Sequence, residues 1–300
     1  MVLDNLSKGH REAVPVERLV VGDFGDGELL DRVMQEHKIE AVMHFGALSL
    51  VGESMTRPDM YFQNNVAKGL ALLDGMVRNQ VKYLVFSSTA AVYGEPEAVP
   101  ITEDARLRPT NPYGESKLAF EKILKWYDQA FGLKSISLRY FNAAGADPAG
   151  DIGEDHNPES HLIPLVIQAA LGLRENIQVF GTDYPTPDGT CIRDYIHIND
   201  LAEAHVLALN SLAQGEGSTA YNLGNGSGYS VLEVIRTVEK VSGRKVKVVL
   251  GERRAGDPAV LVAGSERIRR ELGWQPKFPE LEEIVGTAWE WHSRYPGGFR

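Results

Sequence analysis

A tyrosine and a lysine stand four residues apart in the stretch Asn111-Pro112-Tyr113-Gly114-Glu115-Ser116-Lys117. Asn111 suits a helix cap and Pro112 a first helical position. Four residues is little more than one turn, so the phenol of Tyr113 and the ammonium of Lys117 are expected on one helical face. A phenol beside a fixed cation can act as a base. An unperturbed tyrosine titrates near ~10, and bringing it to neutrality takes roughly 4 kcal/mol of preferential stabilisation of the phenolate. One nearby cation lowers such a pKa by about 1 to 3, so a second positive centre has to contribute. Chance also places tyrosine and lysine at this spacing on amphipathic helices, and the surroundings must carry the reading.

Other residues offer chemistry of their own. Ser87, Ser88 and Thr89 follow the apolar run Tyr83-Leu84-Val85-Phe86. Hydroxyls at the carboxyl end of a buried strand can hold a reacting oxygen, or merely satisfy a turn. Arg193 and Arg254 are candidates to clamp phosphate oxygens, although arginine more often ends in surface ion pairs. Asp4 closes a short apolar run, the position from which a carboxylate takes ribose hydroxyls in dinucleotide folds; alone it is a loop carboxylate. Asn64 and Asn65, inside a helix expected over residues 59–79, read as a solvated face. The stretch Tyr221-Asn222-Leu223-Gly224-Asn225-Gly226-Ser227-Gly228 imitates a glycine-rich nucleotide turn, but its spacing is Gly-x-Gly-x-Gly, and it reads as a corner of the chain. No set of metal ligands stands out, and Cys191 reads as packed rather than reactive.

These residues need a scaffold. Strands are expected at residues 19–23, 41–47, 83–86 and 135–141, alternating with helices at 28–37, 59–79 and from Pro112 onward, the last with Leu118, Ile123 and Tyr127 as its core-facing stripe. Such alternation predicts an α/β fold with a parallel, doubly wound, Rossmann-like sheet. Gly46 and Ala47 at a strand end let a flat ligand approach, or make a plain turn. From Ala143 the glycine, aspartate and proline content rises, and a smaller α/β lobe is expected. The first domain is assigned residues 1–145 with a returning segment at about 190–215, the lobe residues 146–189 and 216–300.

Acidic residues outnumber basic ones, 41 to 31, and the net charge of -10 disfavours nucleic acid as a partner. A single cysteine excludes an intramolecular disulfide and fits a reducing compartment. No run reaches the length of a membrane span and the first residues lack a signal-peptide layout, so a cytoplasmic protein without membrane attachment is expected.

Taken together, Phe86-Ser87-Ser88-Thr89-Ala90-Ala91-Val92-Tyr93-Gly94, the Asn111 to Lys117 stretch, Arg139-Tyr140-Phe141-Asn142, Gly189-Thr190-Cys191-Ile192-Arg193-Asp194-Tyr195-Ile196-His197 and Arg254-Ala255-Gly256-Asp257 closely resemble the UDP-glucose 4-epimerase family, within the extended short-chain dehydrogenase/reductase superfamily. The similarity runs in order from Leu3 to the last helix. It implies an NAD that is reduced and reoxidised in each turnover, its oxidised nicotinamide ring being the second positive centre. Tyr113 would take the proton of the sugar 4-hydroxyl, Lys117 would lower the phenol's pKa and hold the nicotinamide ribose, and Thr89 would hydrogen-bond the reacting oxygen. Inversion at C4 through a 4-keto sugar would interconvert UDP-glucose and UDP-galactose.

Carried over by position, the resemblance implies that Asp4 and Asn5 hold the adenosine ribose and Asp23 and Phe24 the adenine. Phe45, Gly46, Ala47, Asn64, Ser87 and Phe141 would contact further parts of the cofactor. Asn142, His161, Leu162, Arg193, Tyr195, Arg254 and Asp257 would line the UDP-hexose site together with Thr89. Leu261 aligns where a bulky tyrosine can restrict the hexose pocket, which implies acceptance of N-acetylated sugars. A homodimer is implied as well.

The family begins one strand earlier, with a Gly-x-x-Gly-x-x-Gly turn that wraps the pyrophosphate, in all of order thirty residues. The sheet is therefore expected to lack its first, central strand, exposing ladder groups on its neighbour, and the chain is expected to be truncated or mis-started, with its own activity in question. Two rivals share much of this pattern. A sugar-nucleotide 4,6-dehydratase resembles Thr-Asp-Glu where this chain has Thr89-Ala90-Ala91, leaving no evident acid for elimination. A non-catalytic sugar-nucleotide binder would lack usable NAD.

Overall fold

Short β-branched and aromatic runs bounded by Gly, Asp and Asn become strands, and the amphipathic segments between them helices, in a computed structural model that describes residues 1–254 and 257–299. The chain runs β1 (Val2–Asp4), β2 (Leu19–Val21), α1 (Gly27–Glu36), β3 (Ala41–His44), α2 (Val51–Thr56), α3 (Pro58–Phe62), α4 (Lys68–Arg78), β4 (Tyr83–Thr89), α5 (Pro112–Phe131) and β5 (Lys134–Tyr140). It continues with β6 (Asn142–Ala144), α6 (Leu162–Ala170), β7 (Ile177–Phe180), β8 (Ile192–His197), α7 (Ile198–Ala213), β9 (Thr219–Leu223), β10 (Gly228–Ser230), α8 (Val231–Ser242), β11 (Val248–Gly251), β12 (Val260–Leu261), α9 (Glu266–Leu272) and α10 (Leu281–Arg294). No helix among the described residues is long and apolar enough to cross a membrane.

Two units emerge from the contacts: Met1–Glu95, Asp104–Arg139 and Ala204–Tyr221 form one, and Pro96–Glu103, Tyr140–Glu203 and Asn222–Arg300 the other. The returning segment expected at 190–215 is thus divided, because β8 finds its partners in the second unit: β10 antiparallel, β12 and β6 parallel. Residues 96–103, expected in the first domain, also join the second unit. Ile101 bridges Ala263 there and accepts a 2.8 Å hydrogen bond from the Asn222 side chain.

In the first unit a four-stranded sheet has the order β3-β4-β5-β9, with β3 and β4 parallel and His44 opposite Phe86. Strands β1 and β2 pair in parallel as a ladder of their own. Leu30, Leu73, Met76, Leu84, Phe86, Phe120 and Leu124 form the core, with Ile123 and Tyr127 packed against it. Each fully buried side chain of this size contributes about 1.5–3 kcal/mol. The helix expected over 59–79 is interrupted by a π turn at Gln63–Ala67. Such a turn shifts the residues that follow around the helix axis, and Asn65 faces inward, 3% exposed, rather than forming a solvated face.

The second unit is organised on β8. Around it α6, α8 and α10 pack Val166, Ile167, Val234, Val238, Ile284 and Val285 into a core. The glycine-rich corner that follows β9 wraps a carboxylate of its own chain. Asp194 accepts from the main-chain N–H groups of Asn225 (2.9 Å), Gly226 (3.0 Å) and Ala263 (3.0 Å). A Cβ on Gly224 would lie 2.5 Å from that carboxylate, so only glycine allows the approach. Burial pushes the Asp194 pKa up to about 6 against these three donors.

Candidate active site

Helix α5 starts where strand β4 ends. The Asn111 side chain accepts from Gly114 N at 2.9 Å, and Pro112 occupies the first turn, as their types require. Gly114 then meets the short turn Ala90–Val92 that follows β4: a Cβ there would stand 2.6 Å from the Ala91 carbonyl oxygen. Backbone thus meets backbone, and the first turn of α5, with Tyr113 and Lys117, is held at the carboxyl end of β4 beside Thr89. Ser116, fully buried, donates to the Tyr113 carbonyl at 2.7 Å and accepts from Asn65 at 3.0 Å. Asn65 in turn bonds Leu48 N (2.9 Å) and Leu48 O (3.0 Å), so the π turn braces the start of α5.

The Lys117 side chain runs inward. Its ammonium donates to the Ser87 carbonyl at 2.8 Å and sits 4.8 Å from the Phe86 ring centroid. Burial pulls its pKa down to about 7, with the Glu121 carboxylate acting in the opposite direction. A buried ammonium facing a neutral carbonyl gains from any anion formed nearby. His44 stays neutral, its pKa pulled down to about 3 by burial and by the Lys117 charge. Tyr113 is half-buried, with its ring edge-on to Tyr61 at 6.4 Å between centroids. Thr89 is buried, and its hydroxyl accepts from Ala91 N at 3.1 Å while keeping a proton to give.

A second group gathers at the carboxyl ends of β1, β2 and β3. The Asp23 carboxylate takes Lys68 Nζ at 2.6 Å, Gly25 N at 2.8 Å and the Asn5 side chain at 3.1 Å. Burial would raise its pKa, but these donors hold it below the ordinary value. Asp4 accepts from Leu6 N at 2.6 Å. The Phe24 ring lies over Gly46, where a Cβ would come within 2.9 Å of it. Phe45 is exposed and its ring is 4.7 Å from that of His205, whose Nε2 is 3.0 Å from Ser87 Oγ. Ala47 and Asn64 are half-buried, and Asn64 donates to the Asn65 side chain at 3.0 Å.

In the second unit the sugar-side candidates fall into small groups. Arg193 on β8 forms a 2.5 Å ion pair with Asp257, and Leu261 on β12 pairs with Arg193 in register. Asn142 on β6 pairs with Tyr195 on β8, and its amide donates to the Asp194 carbonyl at 2.8 Å. Tyr195 is buried in the core, which pushes its pKa up. Phe141 donates its main-chain N–H to Leu223 O at 3.2 Å. The Arg254 guanidinium stacks 3.9 Å over the Phe180 ring; Ala255 and Gly256 of the same motif lie outside the described residues. His161 stands at the N-terminal boundary of α6, which begins with Leu162, and its imidazole, instead of capping the helix, bonds the Glu154 carboxylate.

Sequence reasoning passed over several residues that the structure brings forward. Glu121 binds Arg139 at 2.6 and 3.0 Å and accepts from Ser88 at 2.5 Å, while Arg139 reaches the Tyr93 hydroxyl at 3.0 Å. Its position four residues beyond Lys117 was the signal. Asn65 left none, since a π turn has no periodic mark. Glu154, His156, Glu159 and His161 converge from an eight-residue stretch whose ligand-type spacing was legible.

The same arrangement has counterparts among known proteins. The model of the NAD dependent epimerase/dehydratase family matches residues 1–224. A UDP-glucose 4-epimerase of Streptococcus mutans serotype c is 52% identical over 301 residues, spanning 100% of this chain and 90% of the relative. The crystal structure of UDP-glucose 4-epimerase from Brucella ovis in complex with NAD superposes with a TM-score of 0.94 at 44% identity, covering 96% of this chain and 88% of that one. The enzyme from Bifidobacterium longum in complex with NAD+ and UDP gives a TM-score of 0.92 at 39% identity, covering 99% and 91%.

Proposed function

The chain belongs to the NAD dependent epimerase/dehydratase family, and we infer from that premise that it is a UDP-glucose 4-epimerase, an isomerase that interconverts UDP-glucose and UDP-galactose by inversion at the sugar C4. The observation that carries the reading is the seat of Lys117: a buried ammonium on a neutral carbonyl, one helical turn from Tyr113 and beside Thr89. In this reading the Tyr113 oxygen takes the proton of the 4-hydroxyl, and the anion that it passes through is stabilised by Lys117. Thr89 donates its hydroxyl proton as a hydrogen bond to the reacting sugar oxygen. NAD, when bound, would supply the hydride acceptor and donor for the redox change at C4. Tyr113 returns the proton in the second half.

The first unit fits that cofactor. Gly46 and Ala47 give a strand end almost free of side chain beside the exposed Phe45 ring, and Phe24 is a flat apolar surface against Gly46. We assign Asp4 and Asn5 to the adenosine ribose and Asp23 with Phe24 to the adenine. Phe45, Gly46, Ala47, Asn64, Ser87, Lys117 and Phe141 are assigned to the remainder. The second unit is proposed to hold the UDP-sugar, with Arg193, Arg254 and Asp257 toward the diphosphate end and Asn142, His161, Leu162, Tyr195 and Leu261 as further contacts. Leu261 in place of a bulkier residue supports acceptance of N-acetylated sugars.

Two copies are proposed to pair through the first unit, a reading supported by Trp126 and Phe131 on α5, which are 66% and 57% exposed. A cytoplasmic setting is supported by the single, buried cysteine. The functional reading is tested by denaturing purified protein, measuring released NAD and assaying conversion of UDP-galactose to UDP-glucose. Both are expected. Folded protein with neither would favour the sugar-nucleotide binder and overturn the reading.

A further inference from the structure

Outside the proposed catalytic groups, and sharing only His161 with the proposed UDP-sugar contacts, one cluster gathers four metal-ligand side chains. Glu154, His156, Glu159 and His161 each present one donor atom, and all four atoms lie within 4.8 Å of one another. Both imidazoles turn Nδ1 toward the same carboxylate: His156 Nδ1 is 3.0 Å from Glu154 Oε1, and His161 Nδ1 bonds that oxygen too. His156 Nδ1 is also 3.6 Å from Glu159 Oε1. The Glu159 carboxylate is held in place by Ser160 N at 2.6 Å and His161 N at 2.8 Å. The two carboxylate side chains are 15% and 6% exposed, while the imidazoles, at 44% and 51%, have room to rotate.

We propose that this cluster is a binding site for a divalent transition-metal ion of the zinc class. Two imidazoles and two carboxylates are a donor set that such ions take, and two carboxylates neutralise the ion's charge. Bonds of about 2.0–2.1 Å place the ligands of a tetrahedral ion roughly 3.4 Å apart. Donors already within 4.8 Å reach that spacing with side-chain rotations. A second observation comes from the neighbouring cavity of about 300 Å³, lined by Glu154, His156, Glu159, Trp291 and His292. Trp291, 1% exposed, carries an indole N–H that has no hydrogen-bond partner among the described residues. A water hydrogen-bonded to a ligating carboxylate on the cavity side, outside the four-coordinate shell, would supply an acceptor for it. The bound ion would tie the stretch before α6 into one piece. None of this depends on the epimerase reading.

The test uses the intact protein, with any affinity tag removed, and Co2+ as the probe. The expected result is equimolar Co2+ with the strong visible bands of a four-coordinate nitrogen and oxygen site, displaced by Zn2+, and a melting temperature that rises with added Zn2+. His156→Gln and Glu154→Gln should each weaken Co2+ binding at least about tenfold while the far-ultraviolet circular dichroism is unchanged. Wild-type protein that leaves the Co2+ spectrum as it is in buffer would overturn the proposal without recourse to any variant. Folded variants that bind Co2+ as tightly as wild type would overturn it equally.

Discussion

The ammonium of Lys117 donates to the main-chain carbonyl of Ser87 at 2.8 Å, a charged donor set against a neutral acceptor in the interior. Burial lowers its pKa from the ordinary 10.5 to about 7. Below that folded value both folded and unfolded chains hold the proton, and the cost of burying the charge is felt in full. From about 7 up to 10.5 the unfolded chain holds a proton that the folded chain has lost, so stability rises with pH, by up to ~1.4 kcal/mol per pH unit. Lys117→Met should abolish this rise. Urea unfolding of both proteins at several pH values checks it, and a wild-type-to-variant difference that stays flat from about pH 7 to 9 would sink the assignment.

Tyr113→Phe removes the proposed base and leaves the seat of α5 intact, since that seat rests on Gly114 and the Asn111 cap. The turnover number should fall roughly 10²- to 10⁴-fold with bound NAD retained. Thr89→Val should cost about 10²- to 10³-fold in turnover, with little change in the substrate concentration needed for half-saturation. Steady-state kinetics together with NAD released on denaturation separate these from a loss of cofactor.

Glu121 and Arg139 form an ion pair with side chains 9% and 7% exposed. Burial works against the Arg139 charge, and the Glu121 hydrogen bonds outweigh it, holding its pKa above the ordinary value. Truncating one partner strands the other charge, so Glu121→Ala should destabilise by about 3–5 kcal/mol, whereas Glu121→Leu combined with Arg139→Met should be much milder. Denaturant midpoints decide between them: equal losses in the single and double variants would mean that the charge itself is not the problem.

Leu261 pairs with Arg193 in register. If it sets the width available to the hexose, wild type should turn over UDP-N-acetylglucosamine as well as UDP-glucose, and Leu261→Tyr should depress the former at least about tenfold relative to the latter. Parallel assays of the two substrates give the ratio. An unchanged ratio removes Leu261 from the pocket wall.

Residues whose placement follows from local rules are legible in the amino-acid sequence itself. Tyr113, Lys117 and Thr89 are fixed by a cap, a helical repeat and a strand end, and the chain puts them where those rules say. Asn65 was not legible, because one inserted residue turns an outward position inward without altering the apolar pattern on either side. Residues 96–103 read as a plain loop of the first domain because their partners, Asn222, Val262, Ala263 and Gly264, lie far away in the chain. Arg193 kept both of its readings: it sits on the strand expected of a phosphate ligand, and it is engaged in an ion pair with Asp257.

The atom nearest to where Gly114 would carry a Cβ is an oxygen of the main chain, that of Ala91. A joint of that kind records little about the identity of its partner. Any residue that keeps a main-chain N–H for Thr89 would present the same carbonyl at position 91, while position 114 tolerates only glycine. The alignment of the proposed base is therefore set through one atom's absence.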